Sequence, residues 1–360
     1  MGKVNMAASV NGNLNDVRSK VRLEEFGVSH TSSSDFPGAY RDYNDEWDFN
    51  KFKKNFKIEV VKLNKNDMEF DMVGIDASLA NAFRRILIAE VASMAIEKVF
   101  VFNNTSIIQD EVLAHRLGLI PIFADPRCFS FPPEVTEAAK QSEEEQLATN
   151  AEYHIVFELK VKCTHNPKAP PDAVDPDVLY LNNKVTTNHM KWIPIGNQAE
   201  QFGTNGIRPV LDDILIAKLR PGQELDLRMH CVKGVGSDHA KFSPVATASY
   251  RLLPEITLLQ PITGELTDRL VKCFPKGVIK IVKENGVKKA VVVNARKDTG
   301  MREIFRDEKL KSMVKLEKRR DHFIFSVEST GALPPELLVE EAINILHAKC
   351  QIYLQQMRNV

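Results

Sequence analysis

Three polar side chains at close spacing, Asp110, Glu111 and His115, are of the types that hold a metal ion and support metal-assisted hydrolysis. A metal-binding helix normally needs a further histidine or carboxylate at matched spacing, and the neighbouring sequence does not supply one. We therefore keep a metal-dependent hydrolase only as a minor alternative, and we predict no metal site and no cofactor.

The motifs of other enzyme chemistries are missing from the sequence. There is no phosphate-binding Gly-x-x-x-x-Gly-Lys-Ser/Thr loop, and Gly234-Val235-Gly236 lacks the third glycine of a dinucleotide fingerprint. There is no Gly-x-Ser-x-Gly nucleophile turn and no His-Glu-x-x-His zinc helix. The five cysteines are far apart, which argues against a disulfide framework and indicates a reducing compartment, cytosol or nucleus. An interaction protein is favoured over an enzyme.

A charged stretch at 302–322 offers a second kind of binding chemistry, contact with a nucleic-acid backbone. Lysine plus arginine and aspartate plus glutamate both total 48, so the net charge provides no general attraction to nucleic acid. Acidic residues are also interleaved with the basic ones, which favours a solvated face of a partly helical segment. The basic residues of this stretch are Lys309, Lys311, Lys315, Lys318, Arg319 and Arg320.

Hydrophobic spacing predicts a chain of mixed helices and strands. Alternating apolar residues predict a hairpin over 56–73 and strands through the middle third, and Asn285-Gly286 fits the type I′ turn of a second hairpin. Ser78 is the predicted cap of a helix whose apolar residues recur every three or four positions. Residues 1–50 lack a sustained apolar period and are predicted to form a flexible N-terminal arm, and 133–150 a polar surface segment.

The final helix, opened by Pro334-Pro335, has an apolar face that needs burial along its full length. Its geometry leaves open whether its own domain or another chain covers that face. No apolar run approaches the roughly 20 residues of a membrane span. The apolar residues are spaced by four, three, four, three and four positions, the interval of a coiled-coil seam: Val339, Ile343, Leu346, Cys350, Tyr353 and Met357.

Two long runs carry a resemblance to a known family: Asn-Ala-Phe-Arg-Arg-Ile-Leu-Ile-Ala-Glu-Val at 81–91 and Asp-Glu-Val-Leu-Ala-His-Arg-Leu-Gly-Leu-Ile-Pro at 110–121. Over about residues 22–357 the chain resembles the α-like subunits of DNA-directed RNA polymerases. Within that family it is most similar to the large α-like subunits shared by eukaryotic RNA polymerases I and III. Further matches occur at 35–38, 103–106, 192–194, 212–217, 220–223, 239–244 and 326–331.

The resemblance implies an α+β fold in which a discontinuous dimerisation domain, a sheet with packed helices, is interrupted by a β-rich insert domain. It places the dimerisation domain at 51–105 and 240–360 and the insert at 106–239. It implies a chain without enzyme activity of its own inside a nucleotidyltransferase complex. The expected location is the nucleus, including the nucleolus.

The resemblance also implies partners and contact residues. The chain would pair with the small α-like subunit and dock the largest and second-largest subunits, for synthesis of ribosomal RNA precursors and small RNAs such as tRNA and 5S rRNA. Contact with DNA would be indirect, and none is expected with a membrane. The residues that match the large-subunit contact are Arg84, Arg85, His115, Arg116 and Lys241. Those that match the heterodimer helices are Leu79, Phe83, Ile86, Leu87, Val339, Ile343, Leu346, Cys350 and Tyr353.

The insert distinguishes between members of that family. The polymerase II relative carries clustered cysteines for zinc in its insert, and some archaeal relatives bind iron-sulfur clusters there. Here the insert holds only Cys128, Cys163 and Cys231, which are widely separated. This departure argues against a bound metal. It also argues against the alternative that the chain is the equivalent subunit of a single, polymerase II-like enzyme.

Overall fold

The computed structural model describes residues 19–31, 47–132, 151–203, 206–284 and 286–358. Most of the predicted arm, the matched run at 35–38, the polar segment at 133–150 and Asn285 of the second hairpin turn lie outside these residues. Among the helices that can be described, none has the length and apolar character that a membrane crossing requires.

The described residues confirm the α+β class, with eighteen strands and eight α-helices. The strands are β1 (Lys20–Leu23), β2 (Val28–Ser29), β3 (Lys57–Leu63), β4 (Asp67–Val73), β5 (Ala92–Asn104), β6 (Ile122–Phe123), β7 (Ile155–Lys162), β8 (Thr164–His165), β9 (Tyr180–Leu181), β10 (Lys184–Thr186), β11 (Met190–Ile193), β12 (Arg208–Pro209), β13 (Leu215–Lys218), β14 (Glu224–Val235), β15 (Val245–Leu258), β16 (Ile279–Glu284), β17 (Val287–Val292) and β18 (Val314–Ser329). The helices are α1 (Phe49–Asn55), α2 (Ala77–Ala89), α3 (Asp110–Gly118), α4 (Pro176–Leu179), α5 (Gln198–Phe202), α6 (Glu265–Lys272), α7 (Glu308–Lys311) and α8 (Pro335–Arg358).

The chain forms two compact units, each made of separate segments. Among the described residues, the first unit comprises those up to Lys62 together with Glu69–Asn81 and Ser249–Ser326, and the second comprises Leu63–Met68, those from Ala82 to Ala248 and those from Val327 onwards. This division differs from the predicted domain boundaries, because β5 pairs along its length with β14 and so belongs with the sheet of the predicted insert. The predicted boundaries stay a prediction.

The sheet of the first unit has six strands, in the order β2-β1-β18-β4-β3, with β15 also pairing with β18. The predicted hairpin is confirmed, since β3 and β4 are neighbours in this order. The rings of Phe70 and Phe325 stack with centroids 5.2 Å apart at the centre of the sheet. Further apolar residues, among them Ile262, Leu270 and Leu310, form a fully buried cluster in the same unit.

The prediction of a flexible arm is wrong for part of 20–29, because Lys20–Leu23 forms β1 and Val28–Ser29 forms β2. Lys20 lies opposite Arg319 in an antiparallel ladder with β18. The Lys20 ammonium lies 2.6 Å from Glu255 and 3.4 Å from the buried carboxylate of Glu317, which a second ammonium, that of Lys315, approaches to 2.6 Å. A buried carboxylate needs such partners to offset its desolvation, so these ion pairs hold the segment against the sheet.

The prediction that 302–322 is partly helical is confirmed at Glu303–Arg306 and Glu308–Lys311, but the solvated helical face expected for the basic residues is wrong from Val314 onwards. Helix ends at Lys311 and β18 begins at Val314, so the basic residues from Lys315 to Arg320 lie on a strand rather than on a solvated helical face. Buried Val314 and Leu316 supply a period of two that the dense charges obscure. Pairing with distant strands then decides the local structure.

The start of α2 corrects a second local prediction. The backbone N–H of Ser78 donates to Asp76 Oδ1 at 2.8 Å, so Asp76 rather than Ser78 caps the helix. Hydrogen bonds from the Ser78 side chain and backbone lower the pKa of Asp76 below its usual value. An ionised carboxylate at this position also interacts favourably with the helix dipole.

The second unit is built on a four-stranded antiparallel sheet in the order β11-β7-β14-β5. Leu225, Leu227, Met229 and Cys231 alternate along β14 and are fully buried. They pack with Leu113 and Leu117 of α3 in one large apolar cluster. The strands predicted at 153–161, 189–195 and 225–231 are confirmed. The strand predicted at 178–181 is wrong at its start, because α4 extends to Leu179 and only Tyr180–Leu181 is a strand. Strand β5 is longer than the segment 98–103 predicted from the sequence.

Replacing Arg296 by methionine will lower the free energy of unfolding by about 3 kcal/mol, as expected when one partner of a buried ion pair is removed. Arg296 Nη1 lies 2.7 Å from both oxygens of buried Asp71, and its Nη2 lies 2.5 Å from Glu69. His322 Nε2 also lies 2.8 Å from Asp71. The variant leaves two carboxylates without their guanidinium. Chemical denaturation at pH 7 measures the loss.

The matched control is Arg306→Met, which removes an exposed guanidinium that pairs with Glu303 one helical turn away. Exposed pairs of this kind contribute about 0.5 kcal/mol or less. Equal losses in the two variants would contradict a buried network at Arg296.

Stability will fall between pH 6.5 and pH 4 because of a buried histidine pair. The rings of His154 and His230 lie 6.2 Å apart, both buried. Burial lowers the pKa of both, and with His154 nearby brings the pKa of His230 to about 4. The unfolded chain binds this proton near pH 6.5, so it holds more protons over the interval and the free energy of unfolding decreases as the pH falls.

The measurement is denaturation at pH 7 and pH 4.5 for the wild type and for His230→Leu. The wild type should lose about 2 kcal/mol more than this variant over the interval. His347→Leu, a change at an exposed histidine, should keep the wild-type dependence. The assignment to His230 would be overturned by a pH dependence that the His230 variant retains in full.

Candidate functional site

The terminal helix α8 is buried by its own chain only along its first third. Pro335, Leu338, Val339 and Ala342 are buried, whereas all residues from 347 to 358 are exposed. At 1.5 Å per residue, the exposed end extends for about 18 Å. The residues that the structure describes therefore do not provide the full-length burial that the apolar face of α8 requires.

A line of exposed or half-buried apolar side chains follows this helix, and we call it the terminal stripe. Its members recur at intervals of three and four residues and so share one face. Ile343 is 45% exposed, Tyr353 64% and Met357 67%. A continuous exposed apolar face of this length is typical of an interaction surface. The terminal stripe comprises Ile343, Leu346, Cys350, Tyr353 and Met357.

An ion pair links α8 to the end of α2. Lys349 Nζ lies 2.5 Å from Glu90 Oε1, and Glu90 directly follows α2 in the chain. Both groups are partly exposed, so the pair adds little stability. It places the middle of α8 beside the residue that ends α2 and gives the terminal stripe a polar border.

Several residues predicted for the heterodimer helices are buried inside the chain itself. Phe83, Ile86, Leu87 and Val339 are each less than 10% exposed, so they form core rather than open surface. Leu79, near the start of α2, is 46% exposed. The accessible part of the predicted set is Leu79 together with Ile343, Leu346, Cys350 and Tyr353.

The two arginines of α2 differ in their surroundings. Arg84 is half-buried, whereas Arg85 is exposed. Consecutive residues on a helix point about 100° apart, so the two guanidinium groups leave the helix in different directions. Arg85 is the one that a partner can reach directly.

Arg116 is already bound to its own chain. Its Nη2 donates to the carbonyl of Leu215 at 2.7 Å, and its Nε donates to the carbonyl of Ile216 at 3.2 Å. These bonds join α3 to β13 within the second unit. Part of the hydrogen-bonding capacity that we assigned to a large subunit is therefore used internally.

His115 and Lys241 line one cleft of about 230 Å³, together with His239 and Glu97. The rings of His115 and His239 meet edge to face with centroids 6.4 Å apart. Lys241 forms an ion pair with Glu97, and its side chain is only 13% exposed. The cleft thus holds imidazole, ammonium and carboxylate groups that can exchange hydrogen bonds with a partner side chain.

The loop behind this cleft is fixed by close backbone contacts. Ser93 Oγ donates to the carbonyl of Phe242 at 2.6 Å. A Cβ at Gly234 would lie 2.7 Å from the Phe242 ring, so only glycine permits this approach. Both the N–H and the hydroxyl of Thr330 donate to the carbonyl of Pro244 at 3.0 Å. Two of the matched runs, 239–244 and 326–331, therefore meet here.

The residues considered for a metal site have other surroundings. Asp110 accepts a hydrogen bond from Asn104 at 2.6 Å, and His115 lies against His239 in the cleft. Within the described ranges, no group of three or more histidine, cysteine, aspartate or glutamate side chains has the geometry to hold a metal ion. The hydrolase alternative gains no support from this arrangement.

Comparison with families of known proteins matches residues 69–350 to the RNA polymerase Rpb3/Rpb11 dimerisation domain. The chain belongs to this family. The match begins in β4 and ends within α8, so it includes α2, the cleft and the first half of the terminal stripe. The family resemblance found in the sequence is confirmed.

Individual relatives show how the similarity is distributed. The chain is 59% identical to the DNA-directed RNA polymerases I and III subunit RPAC1 of Mus musculus, over 95% of this chain and 96% of that protein. The subunit of the same description in Dictyostelium discoideum is 43% identical, covering 94% and 93% of the two chains. The RNA polymerase II subunit rpb3 of the same organism is 33% identical, covering 81% and 92%.

Sequence reasoning did not include Glu97 among the site residues, and it considered His239 only as part of the matched run 239–244. Glu97 interrupts an apolar run in β5, and a charge at this position was the feature of the sequence that could have indicated a site residue. His239 begins a matched run, but its meeting with His115 depends on contacts far apart in sequence. Lone histidines carry no such information by themselves.

Proposed function

We propose that this chain is a non-catalytic assembly subunit of the nuclear RNA polymerases I and III. It pairs with the small α-like subunit and docks the largest and second-largest subunits. The complexes synthesise ribosomal RNA precursors in the nucleolus and small RNAs such as tRNA and 5S rRNA. The observation that carries this proposal is the terminal stripe, an uncovered apolar helix face that starts within the segment matched to a dimerisation domain.

Pairing is supported by the nature of the stripe. Obligate interfaces are large and apolar and resemble a domain core divided in two. Tyr353 and Met357 are large side chains that lose most contact with water only if another chain covers them. Leu79, exposed on α2, offers a further apolar contact. An Rpb3/Rpb11-type dimer has a second kind of chain, the small α-like subunit. We propose that this subunit covers the terminal stripe.

Docking of the large subunits is assigned to the polar surface. Arg85 offers an exposed guanidinium that keeps its charge and binds carboxylates or carbonyls through two parallel hydrogen bonds. His115 and Lys241 add donors in the cleft. These surfaces are polar, unlike the terminal stripe, and so suit a different partner.

Polymerases I and III are favoured over polymerase II by two observations. Of the two relatives from Dictyostelium discoideum, the subunit named for polymerases I and III is 43% identical to this chain and the polymerase II subunit is 33% identical. Cys163 and Cys231 are buried in the apolar core, where burial raises the pKa of both thiols. Metal binding requires the thiolate form, so these cysteines are poor zinc ligands.

The proposal keeps the predicted domain division, with a dimerisation domain at 51–105 and 240–360 and an insert at 106–239. It assigns nucleotidyl transfer, which needs magnesium held by carboxylates, to the largest subunit. DNA is then contacted only through the complex.

The test is affinity purification of the tagged chain from nuclear extract, followed by native mass spectrometry of the eluate. Recovery of one small α-like chain with two different sets of very large subunits is the expected result. Recovery with a single set would replace the proposal by a single-polymerase assignment. A chain that elutes alone would remove the family role altogether.

A further inference from the structure

Strand β3 is the least covered strand of its sheet. All seven of its residues are exposed. Successive side chains of a strand point to opposite faces, so both faces of β3 are open. Ile58, Val60, Val61 and Leu63 are each between 45% and 56% exposed. Apolar side chains in this setting, three of the four β-branched, indicate a surface that another chain can cover.

The backbone of β3 is also open along one side. The strand stands at the end of the sheet order and pairs only with β4 among the strands that the structure describes. An edge strand presents a row of N–H donors and C=O acceptors that fits an added strand. An extended polypeptide satisfies both kinds of group, whereas a nucleic-acid backbone supplies mainly acceptors.

The charge around this edge selects the kind of polypeptide. Residues 51–62 contain five lysines and one acidic residue, Glu59, which lies 3.6 Å from Lys57. Two copies of the chain would bring two such lysine sets together, and like charges on neighbouring strands are destabilising. A segment rich in aspartate or glutamate is attracted instead.

Aromatic side chains extend the surface beyond the strand. The rings of Trp47 and Phe52 lie 6.2 Å apart, and those of Phe52 and Phe56 stack at 5.2 Å. Phe56 immediately precedes β3, and Trp47 is 71% exposed. This series of rings lies beside the lysines of α1. It gives the apolar side chains of an added segment further surface to contact.

We infer that the open edge of β3 binds an extended acidic segment of another protein, which adds to the sheet as a strand. The binding combines backbone pairing along Lys57–Leu63 with contacts between the lysines and acidic side chains. This surface contains none of the residues assigned to the polymerase partners, so it predicts a further interaction.

The test uses the full chain and a fluorescein-labelled peptide of twelve residues in which valine alternates with glutamate. Fluorescence anisotropy should show saturable binding that weakens several-fold between 50 and 300 mM salt, as expected for a charge-assisted contact. The double substitution Lys57→Glu with Lys62→Glu should weaken binding at least tenfold. The matched control, Arg302→Glu with Lys309→Glu, reverses two exposed charges of the same unit and should change the affinity less than twofold.

Hydrogen exchange on the unmodified chain gives a readout that does not depend on variants. Strand addition should slow exchange of the amides in 57–63 when the peptide is bound, and a peptide with lysine in place of glutamate should give no protection. Binding without protection of these amides, or equal affinity in both double variants, would overturn the inference. So would binding of single-stranded oligothymidylate in place of the acidic peptide. If the lysines only protect the edge from self-association, their reversal will cause aggregation and the peptide will not bind.

Discussion

Replacing Ile343, Leu346 and Tyr353 together by glutamine will abolish pairing with the small α-like subunit. Burying a side chain of this size contributes roughly 1.5 to 3 kcal/mol, so three replacements remove at least about 4 kcal/mol of binding. This corresponds to a dissociation constant about a thousand times larger. Co-expression with the small subunit, followed by purification through a tag on this chain, measures the loss as the ratio of the two chains recovered.

The variant is expected to remain folded. Ile343 and Tyr353 are exposed, and Leu346 is only half-buried in the chain, so the monomer loses little packing. Glutamine is a good helix former and keeps α8 helical. The isolated variant and the isolated wild type should therefore have the same circular dichroism spectrum and melting temperatures within a few degrees of each other. A large decrease in melting temperature would place these residues in the core instead.

A control removes the same number of apolar groups at other exposed positions. Phe26, Ile107 and Val174 are each more than 85% exposed and lie outside the terminal stripe. Their joint replacement by glutamine should leave pairing unchanged. Intact pairing in the stripe variant would refute the assignment of α8, and lost pairing in both variants would mean that general surface hydrophobicity drives the association.

The part of this fold that is local in sequence could be predicted. The period of two along β7 and β14 and the period of three and four along α8 follow from side-chain geometry and need no partner. The strand β18 could not be predicted in the same way. Its lysines and arginines hide the alternation, and its ladder with β1 depends on contacts such as Lys20 with Glu317, 297 positions apart.

The site shows a different limit of sequence patterns. Phe83 and Tyr353 both occupy apolar positions of helices with a helical period, yet Phe83 is buried by its own chain and Tyr353 is exposed. The period states that a face must be covered, and it does not state by which chain. The sequence likewise does not tell which arginines are free to bind a partner. Arg85 and Arg116 carry the same charge, but the structure shows hydrogen bonds to the backbone carbonyls of β13 only for Arg116.

Reversing the charge of Arg85 will separate the two proposed interfaces. Arg85→Glu, and the double variant with Arg84→Glu, should keep the heterodimer because neither guanidinium belongs to the terminal stripe. Truncating one member of a desolvated charge pair costs about 2 to 5 kcal/mol, so recovery of the large subunits should fall at least tenfold. Native mass spectrometry of the purified complexes gives the ratio of large subunits to the small α-like chain.

The control for this prediction is Lys191→Glu, an equal charge reversal at an exposed position on β11 in the same unit. It should leave recovery of every subunit unchanged. Arg116→Glu is expected to act differently, because it breaks two bonds to backbone carbonyls and lowers the stability of the chain by about 1 to 3 kcal/mol. A loss of large subunits that appears only with a lower melting temperature would indicate unfolding. A loss in Arg85→Glu at unchanged melting temperature is the result that assigns this arginine to docking, and undiminished recovery in the double variant would exclude it.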